Sequence, residues 1–200
     1  MGQARCTRAR FSSTRSNTSH LIHYTHGASD TLSVELPQRD DRRRSGIVCE
    51  GQGMITFLSV PFAPHSLHLP APGMHAVIAW SDRYRVDFVI ADGDTLRTIE
   101  REHTPIPVSD AAWDSALVAA EWEDFRTRTN AMDCEGELWR PERRPAITGL
   151  FLDHEGRLVV ETTAPDGGVL DFYDGEGRLR TSVRAPVRDE RAIPFFRDDR

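Results

Sequence analysis

Lysine is absent from this chain, and all 25 of its basic residues are arginine. That removes several chemistries at once. There is no lysine Schiff base, no phosphate-loop lysine and no Ser-x-x-Lys nucleophile pair. Asparagine occurs only at Asn17 and Asn130. Cysteine occurs three times, at Cys6, Cys49 and Cys134. An odd number at wide spacing fits neither a disulfide framework nor a zinc site, so the three are expected to be unpaired, incidental thiols. Cys49 and Cys134 each open a Cys-Glu-Gly triplet, a match short enough to arise by chance. No apolar run approaches the ~20 residues needed to span a bilayer. The motifs Gly-x-Ser-x-Gly, His-Glu-x-x-His, Cys-x-x-Cys and Gly-x-Gly-x-x-Gly are all missing. A Ser/His/Asp site gathered from distant residues stays open.

What is present suffices for one folded domain. The chain has 200 residues, 28% of them charged and 38% hydrophobic, with a net charge of −6. An acidic balance gives no general attraction to nucleic acid or to an anionic membrane. The first 20 residues hold four arginines and no acid. They lack the apolar core of a secretory signal; an Arg/Ser-rich, acid-poor start can be an organellar transit peptide, but without an amphipathic period the segment is expected to be a disordered basic tail. The run Asp40-Asp41-Arg42-Arg43-Arg44 reads as a solvated loop. Asn17-Thr18-Ser19 is a formal glycosylation sequon on the tail.

A six-residue phrase is written twice: Asp-x-Glu-Gly-Arg-Leu spans residues 153–158 and again 174–179. Asp can bond backbone amides ahead of it and Gly accepts positive φ, so both phrases are turn chemistry. With Pro165-Asp166-Gly167-Gly168 as a third turn, they divide four β-rich runs, 147–152, 157–163, 169–173 and 179–184. The connections are too short for crossover helices, so the runs form an antiparallel meander. A second meander is expected upstream at 66–69, 75–80, 84–90 and 95–101. Asp87-Phe88 aligns with Asp171-Phe172. Leu96-Arg97-Thr98 aligns with Leu179-Arg180-Thr181 after a slip of one residue. Residues 21–36 resemble the last two strands of such a unit. The stretch 110–128 predicts one helix, with Ser109 as its N-cap and Val108 stapling onto Trp113. Its wide apolar arc predicts burial of Trp113, Leu117 and Trp122.

Repeats of ~40 residues, each a four-stranded meander, are the signature of β-propeller blades. The stretches "SVPFAPHSLHLPAPGMHAVIAWSDRYRVDFVIADGDTLRTIERE" and "RPAITGLFLDHEGRLVVETTAPDGGVLDFYDGEGRLRTSVRAP" resemble a bacterial six-bladed β-propeller of the NHL-like kind. The likeness covers about residues 55–186. Asp153-His154-Glu155-Gly156-Arg157-Leu158-Val159-Val160 follows the inner-strand pattern of that family. The resemblance implies an all-β fold: an incomplete propeller with one inserted helix. A disordered tail would occupy 1–20 and the partial propeller 21–200. The propeller would comprise a blade remnant at 21–60, a blade at 65–101, a helical insertion at 108–128 and a blade at 145–185. Six blades need about 240 residues, so the chain resembles a partial or truncated copy. Open blade faces would then favour self-association.

The fold hosts sensors, scaffolds and hydrolases alike, so function must come from a site. His20, His23 and His26 recur every third residue, the wrong period for one face of a strand. His65 and His68 flank the start of an inner strand and could face a central channel. A propeller lactonase would add acidic and Asn ligands there, and neither asparagine lies on an inner strand. The Asp/Gly clusters at 92–94, 166–168 and 174–177 lack EF-hand spacing and read as hairpin turns. No catalytic, cofactor-binding or metal-ligating residue is therefore assigned. The expected function is a non-catalytic binding or scaffold module for an unknown protein or small-molecule ligand. The alternative is a lactonase- or esterase-type propeller hydrolase acting at the channel mouth.

Overall fold

A computed structural model describes the backbone of residues 9–13, 19–24 and 31–35, and residues 45–185 apart from 52, 72–74, 91–92 and 166. The described residues are mostly β, arranged as antiparallel sheets of three or four strands. Strands β1 (Ala9–Ser13), β2 (Ser19–Tyr24) and β3 (Thr31–Glu35) form one sheet in that order. Its β2–β3 hairpin spans most of residues 21–36, where the last two strands of a repeat unit are expected. Within the basic tail, Ala9–Ser13 is a strand, and residues 1–8 and 14–18 lie outside the described residues. Strands β4 (Gly46–Gly51) and β5 (Met54–Ser59) form a hairpin in a second sheet, so the remnant drawn at 21–60 is divided between two sheets.

The upstream meander consists of β6 (Ser66–Ala71), β7 (His75–Trp80), β8 (Arg85–Val89) and β9 (Thr95–Glu100), hydrogen-bonded in sequence order. The strand expected to end at residue 69 runs on, because Pro70 and Ala71 still pair with Ala76 and His75. After the helical region and a short strand β10 (Asp133–Glu135) comes the second meander. It consists of β11 (Ile147–Leu152), β12 (Leu158–Ala164), β13 (Gly167–Tyr173) and β14 (Leu179–Ala185), again in sequence order.

The repeated phrase builds the same turn twice. Asp153 Oδ1 accepts from the amides of Glu155 and Arg157 at 2.9 and 2.8 Å. Asp174 Oδ1 accepts from those of Glu176 and Arg178, both at 2.9 Å. Gly156 and Gly177 take φ of 77° and 76°, which a side chain would resist. Burial opposes ionisation of Asp153, but the Arg157 amide and guanidinium and the Glu155 amide outweigh it and hold the carboxyl below its usual range.

The two meanders share a register. Asp87 faces Thr98 across β8–β9, and Asp171 faces Ser182 across β13–β14. Each pairing is followed by a bulge, after Phe88 and after Phe172. One sequence offset therefore relates Asp87 to Asp171 and Thr98 to Ser182, with no slip. The expected pairing of Thr98 with Thr181 is corrected. It followed identical letters, whereas the turn length and the bulge fix the register.

The core between these sheets joins opposite faces of the repeat. Val77, Ala79, Val86 and Ile99 of the first sheet pack with Leu150, Leu158, Val160 and Tyr173 of the second. Val86 corresponds to Leu170, which is not in that core, and Tyr173 corresponds to Val89. Successive strand residues alternate faces, so the contact is head to tail rather than face to matching face.

The single helix expected at 110–128 is two. Helix α1 (Asp110–Ala119) starts at Ser109, whose hydroxyl accepts from the Ala112 amide at 3.2 Å. Helix α2 (Trp122–Arg128) follows a break at Glu121, which holds φ of 52°. No proline or glycine marks the break, so nothing in the composition announces it. Its consequence is a different anchor. No residue of α1 is buried, and Trp113, Leu117 and Trp122 are only half-buried. Phe125 of α2 is buried with Ile47, Cys49, Val60 and Ala63, flanked by Trp113 and Trp122. The helices thus pack on the second sheet, where β10 pairs with β4 to give the order β10-β4-β5.

That pairing sets Cys134 directly opposite Cys49. The two form a disulfide, with an S–S distance of 2.10 Å and Cα atoms 4.0 Å apart. The expectation of unpaired thiols is corrected for both. Their separation of 85 residues is closed by a strand pairing that spacing along the chain does not reveal. Cys6 lies outside the described residues.

Candidate functional site

A buried polar arrangement sits between the two four-stranded sheets. Tyr84 immediately precedes β8 and Arg101 immediately follows β9, so both stand at one margin of the first sheet. Asp171 and Tyr173 lie two residues apart on β13 and so project together. The Tyr84 hydroxyl donates to Asp171 Oδ2 at 2.8 Å, and Arg101 Nη1 donates to the same oxygen at 2.7 Å. The Ser182 hydroxyl donates to Oδ1. The Tyr84 and Tyr173 hydroxyls are 2.5 Å apart. Tyr84 has one proton and gives it to Asp171, so Tyr173 is the donor in that contact.

Tyr84, Asp171 and Tyr173 are all buried. Burial, then the hydrogen bonds to Tyr173 and Asp171, push the Tyr84 phenol far up. It stays protonated and serves as a fixed donor, not as a base. Arg101 also lies over the Tyr84 ring, 5.3 Å from its centroid, and keeps a partly exposed edge. The chemistry of this group is that of a latch: a carboxylate of one sheet held by a phenol and a guanidinium of the other. The signal in the sequence was Asp171 itself, an acid set between apolar neighbours in "VLDFY". Reading it only as a repeat marker missed its partners.

The histidines do not converge. The His65 amide donates to Ser81 Oγ at 2.9 Å, and its ring Nδ1 lies 3.2 Å from the Ala63 carbonyl oxygen. His68 is on β6, half-buried, and burial lowers its pKa. Among the described residues no three His, Cys, Asp or Glu side chains could hold a metal ion together. His20 and His23 lie on β2, and His26 lies outside the described residues. Of the Asp/Gly clusters, 93–94 and 174–177 are turns between strands, and residues 92 and 166 lie outside the described residues. Residues 40–44 also lie outside them. No described helix is long and apolar enough to cross a membrane.

A second feature is on the surface. Ile55 and Phe57 of β5 are 68% and 58% exposed, although both are large and apolar. Their cross-strand partners are Glu50 and Val48 of β4. Those in turn face Asp133 and Glu135 of β10.

Comparison with models of known families, with curated proteins and with solved structures finds no match to this chain.

Proposed function

We propose that this chain is a non-catalytic binding or scaffold module built from blades of the six-bladed, NHL-like β-propeller kind. The observation that carries the reading is the head-to-tail contact of two meanders with the same register. Stacking one face of a unit on the opposite face of the next is how repeat architectures bury what a lone meander leaves open. The adjacency of β6 and β11, the first strands of the two meanders, supports the same arrangement. The buried cluster of Tyr84, Arg101, Asp171 and Tyr173 is spent on holding the sheets together, with its phenol fixed as a donor, which supports binding over hydrolysis at that cluster. The outer face of the second meander supports self-association. There Val183 is 49% exposed, at the position equivalent to Ile99, which is buried between the sheets.

Purified chain should be assayed against activated esters and small lactones, with and without added calcium or zinc. The expected result is no turnover above the uncatalysed rate under any condition. Saturable, metal-dependent turnover would overturn the non-catalytic reading and favour the hydrolase.

A further inference from the structure

We infer that the outward face of the β4–β5–β10 sheet is a docking surface for a basic segment of another protein that carries spaced apolar anchors. The inference rests on the binding-module reading and names the surface and the partner's chemistry. Directly opposed residues of an antiparallel pair project on the same face. The pairings Val48–Phe57, Glu50–Ile55 and Glu50–Asp133 therefore place an apolar patch and two carboxylates on one face. The other face holds Ile47 and Cys49 and is closed by Phe125. The sheet is thus fixed from behind and open in front.

The patch is ordered before any partner arrives. A Cβ at Gly46 would overlap the Phe57 ring, so glycine at that position lets the ring lie against β4. The disulfide between Cys49 and Cys134 ties β10 to β4 and keeps Asp133 beside Glu50. Glu50 and Asp133 are exposed and have no ion-pair partner among the described residues. β5 itself, Met-Ile-Thr-Phe-Leu-Ser, carries no charge, in a chain that is 28% charged. Edge strands are usually protected by charge or proline. An uncharged, aromatic edge beside acids that no described residue pairs fits a partner that brings the opposite charge and fills the apolar row. The net charge of −6 attracts such a partner at long range and repels nucleic acid and anionic lipid.

The test uses the full chain and a fluorescent amphipathic peptide with leucines at i, i+3 and i+4 and arginines elsewhere, read by anisotropy. Controls are the scrambled peptide and the same peptide with every arginine replaced by glutamine. Two variants are compared with the parent after their melting curves are matched: Ile55→Ser, and the pair Glu50→Arg with Asp133→Arg. Saturable binding should weaken about tenfold in the charge-reversed pair, the size expected when two surface charge contacts become repulsive, and about tenfold in Ile55→Ser, where a buried apolar contact with the partner is lost. It should also weaken with salt and be lost with the glutamine peptide. No saturable binding, or equal binding of the scrambled peptide and of both variants, would overturn the inference. A parent chain that dimerises through this face, with Ile55→Ser dispersing the dimer and leaving peptide affinity unchanged, would overturn it too. Failure here alongside absent ester turnover would cost only this surface, whereas turnover would cost the binding reading.

Discussion

Replacing Asp171 by alanine strikes the contact between the two meanders at its polar centre. The carboxylate is 5% exposed and receives Tyr84, Arg101 and Ser182. Hydrogen bonds to a charged group contribute about 1.5–3 kcal/mol, and stranding the partner of a buried ion pair costs about 3–5 kcal/mol. The upper figure is too high here, because Arg101 is 39% exposed and can turn to water. The Tyr84 hydroxyl cannot, and Tyr173 depends on it. A loss of about 3 kcal/mol is expected, measured as the shift of urea unfolding midpoint at unchanged m. The control is built into the repeat. Asp87 occupies the equivalent position, is 24% exposed, and is held within its own sheet by Arg85 Nε at 3.1 Å and by Thr98 Oγ1 at 2.6 Å. Water can replace those partners, so Asp87→Ala should cost about 1 kcal/mol or less. Tyr84→Phe should reproduce much of the Asp171 loss and couple to it in a double-mutant cycle. Equal losses at Asp87 and Asp171, or a loss at Asp171 below about 1 kcal/mol, would refute the idea that the buried latch joins the sheets.

Opening the disulfide should lower stability by about 2–4 kcal/mol, seen as a drop in melting temperature with dithiothreitol or in Cys134→Ser. Thiol titration of the unreduced, denatured chain should find one cysteine, and three would contradict the pairing. Phe125→Ala should cost about 3–5 kcal/mol in chemical denaturation, whereas Leu117→Asp, on a helix with no buried residue, should cost about 1 kcal/mol or less. Acid should destabilise in two steps. Burial lowers the folded pKa of His68, so its favourable contribution is present above the ordinary histidine value of 6.5 and falls as the pH drops below it. Asp153 is held below its ordinary 3.8, so its contribution is full above that value and is lost as the pH falls through the lower folded pKa. In melting temperatures against pH, His68→Gln should reduce the first step, which His103 shares because burial lowers its pKa as well, and Asp153→Asn should reduce the second, which Asp174 shares. A rise in stability on acidification from pH 6.5 would contradict the first step, and a rise as the pH falls below 3.8 would contradict the second.

Local chemistry was legible and long-range chemistry was not. The turns at Asp153 and Asp174 could be read because an aspartate and a glycine at fixed spacing settle a turn without outside help. The strands between them followed from alternation and turn length. Ser109 was legible as a cap for the same local reason. The Cys49–Cys134 bond was not, since it depends on a three-residue strand pairing far back along the chain. The break at Glu121 was hidden because Ala119, Ala120 and Glu121 all suit a helix, and packing of Phe125 decides otherwise. The latch was half-legible. The alignment found Asp87 and Asp171 as a pair but said nothing of which one would be covered.

That difference bears on how the sheets know their order. In a repeat protein each unit could in principle stack on any other, because the apolar pattern recurs. Here the polar residues break the equivalence. Tyr84 and Arg101 of the first meander correspond by the common offset to Gly168 and Ala185 of the second, which have no side-chain donor for a carboxylate and no ring to cover it. The second meander therefore cannot give a following sheet the latch that the first gives to it. Asp87, for its part, is already satisfied by Arg85 and Thr98 and does not require a partner from another sheet. The apolar register makes stacking favourable in general, and one buried carboxylate with its two donors from the other sheet selects this pair. Exchanging the sets, with Gly168→Tyr, Ala185→Arg, Tyr84→Gly and Arg101→Ala together, should leave both sheets' strand pairings possible while removing the selection. Such a chain should retain its β content by far-ultraviolet circular dichroism and lose the cooperativity of its unfolding transition. A transition as sharp as the parent's would show that the apolar faces alone set the order.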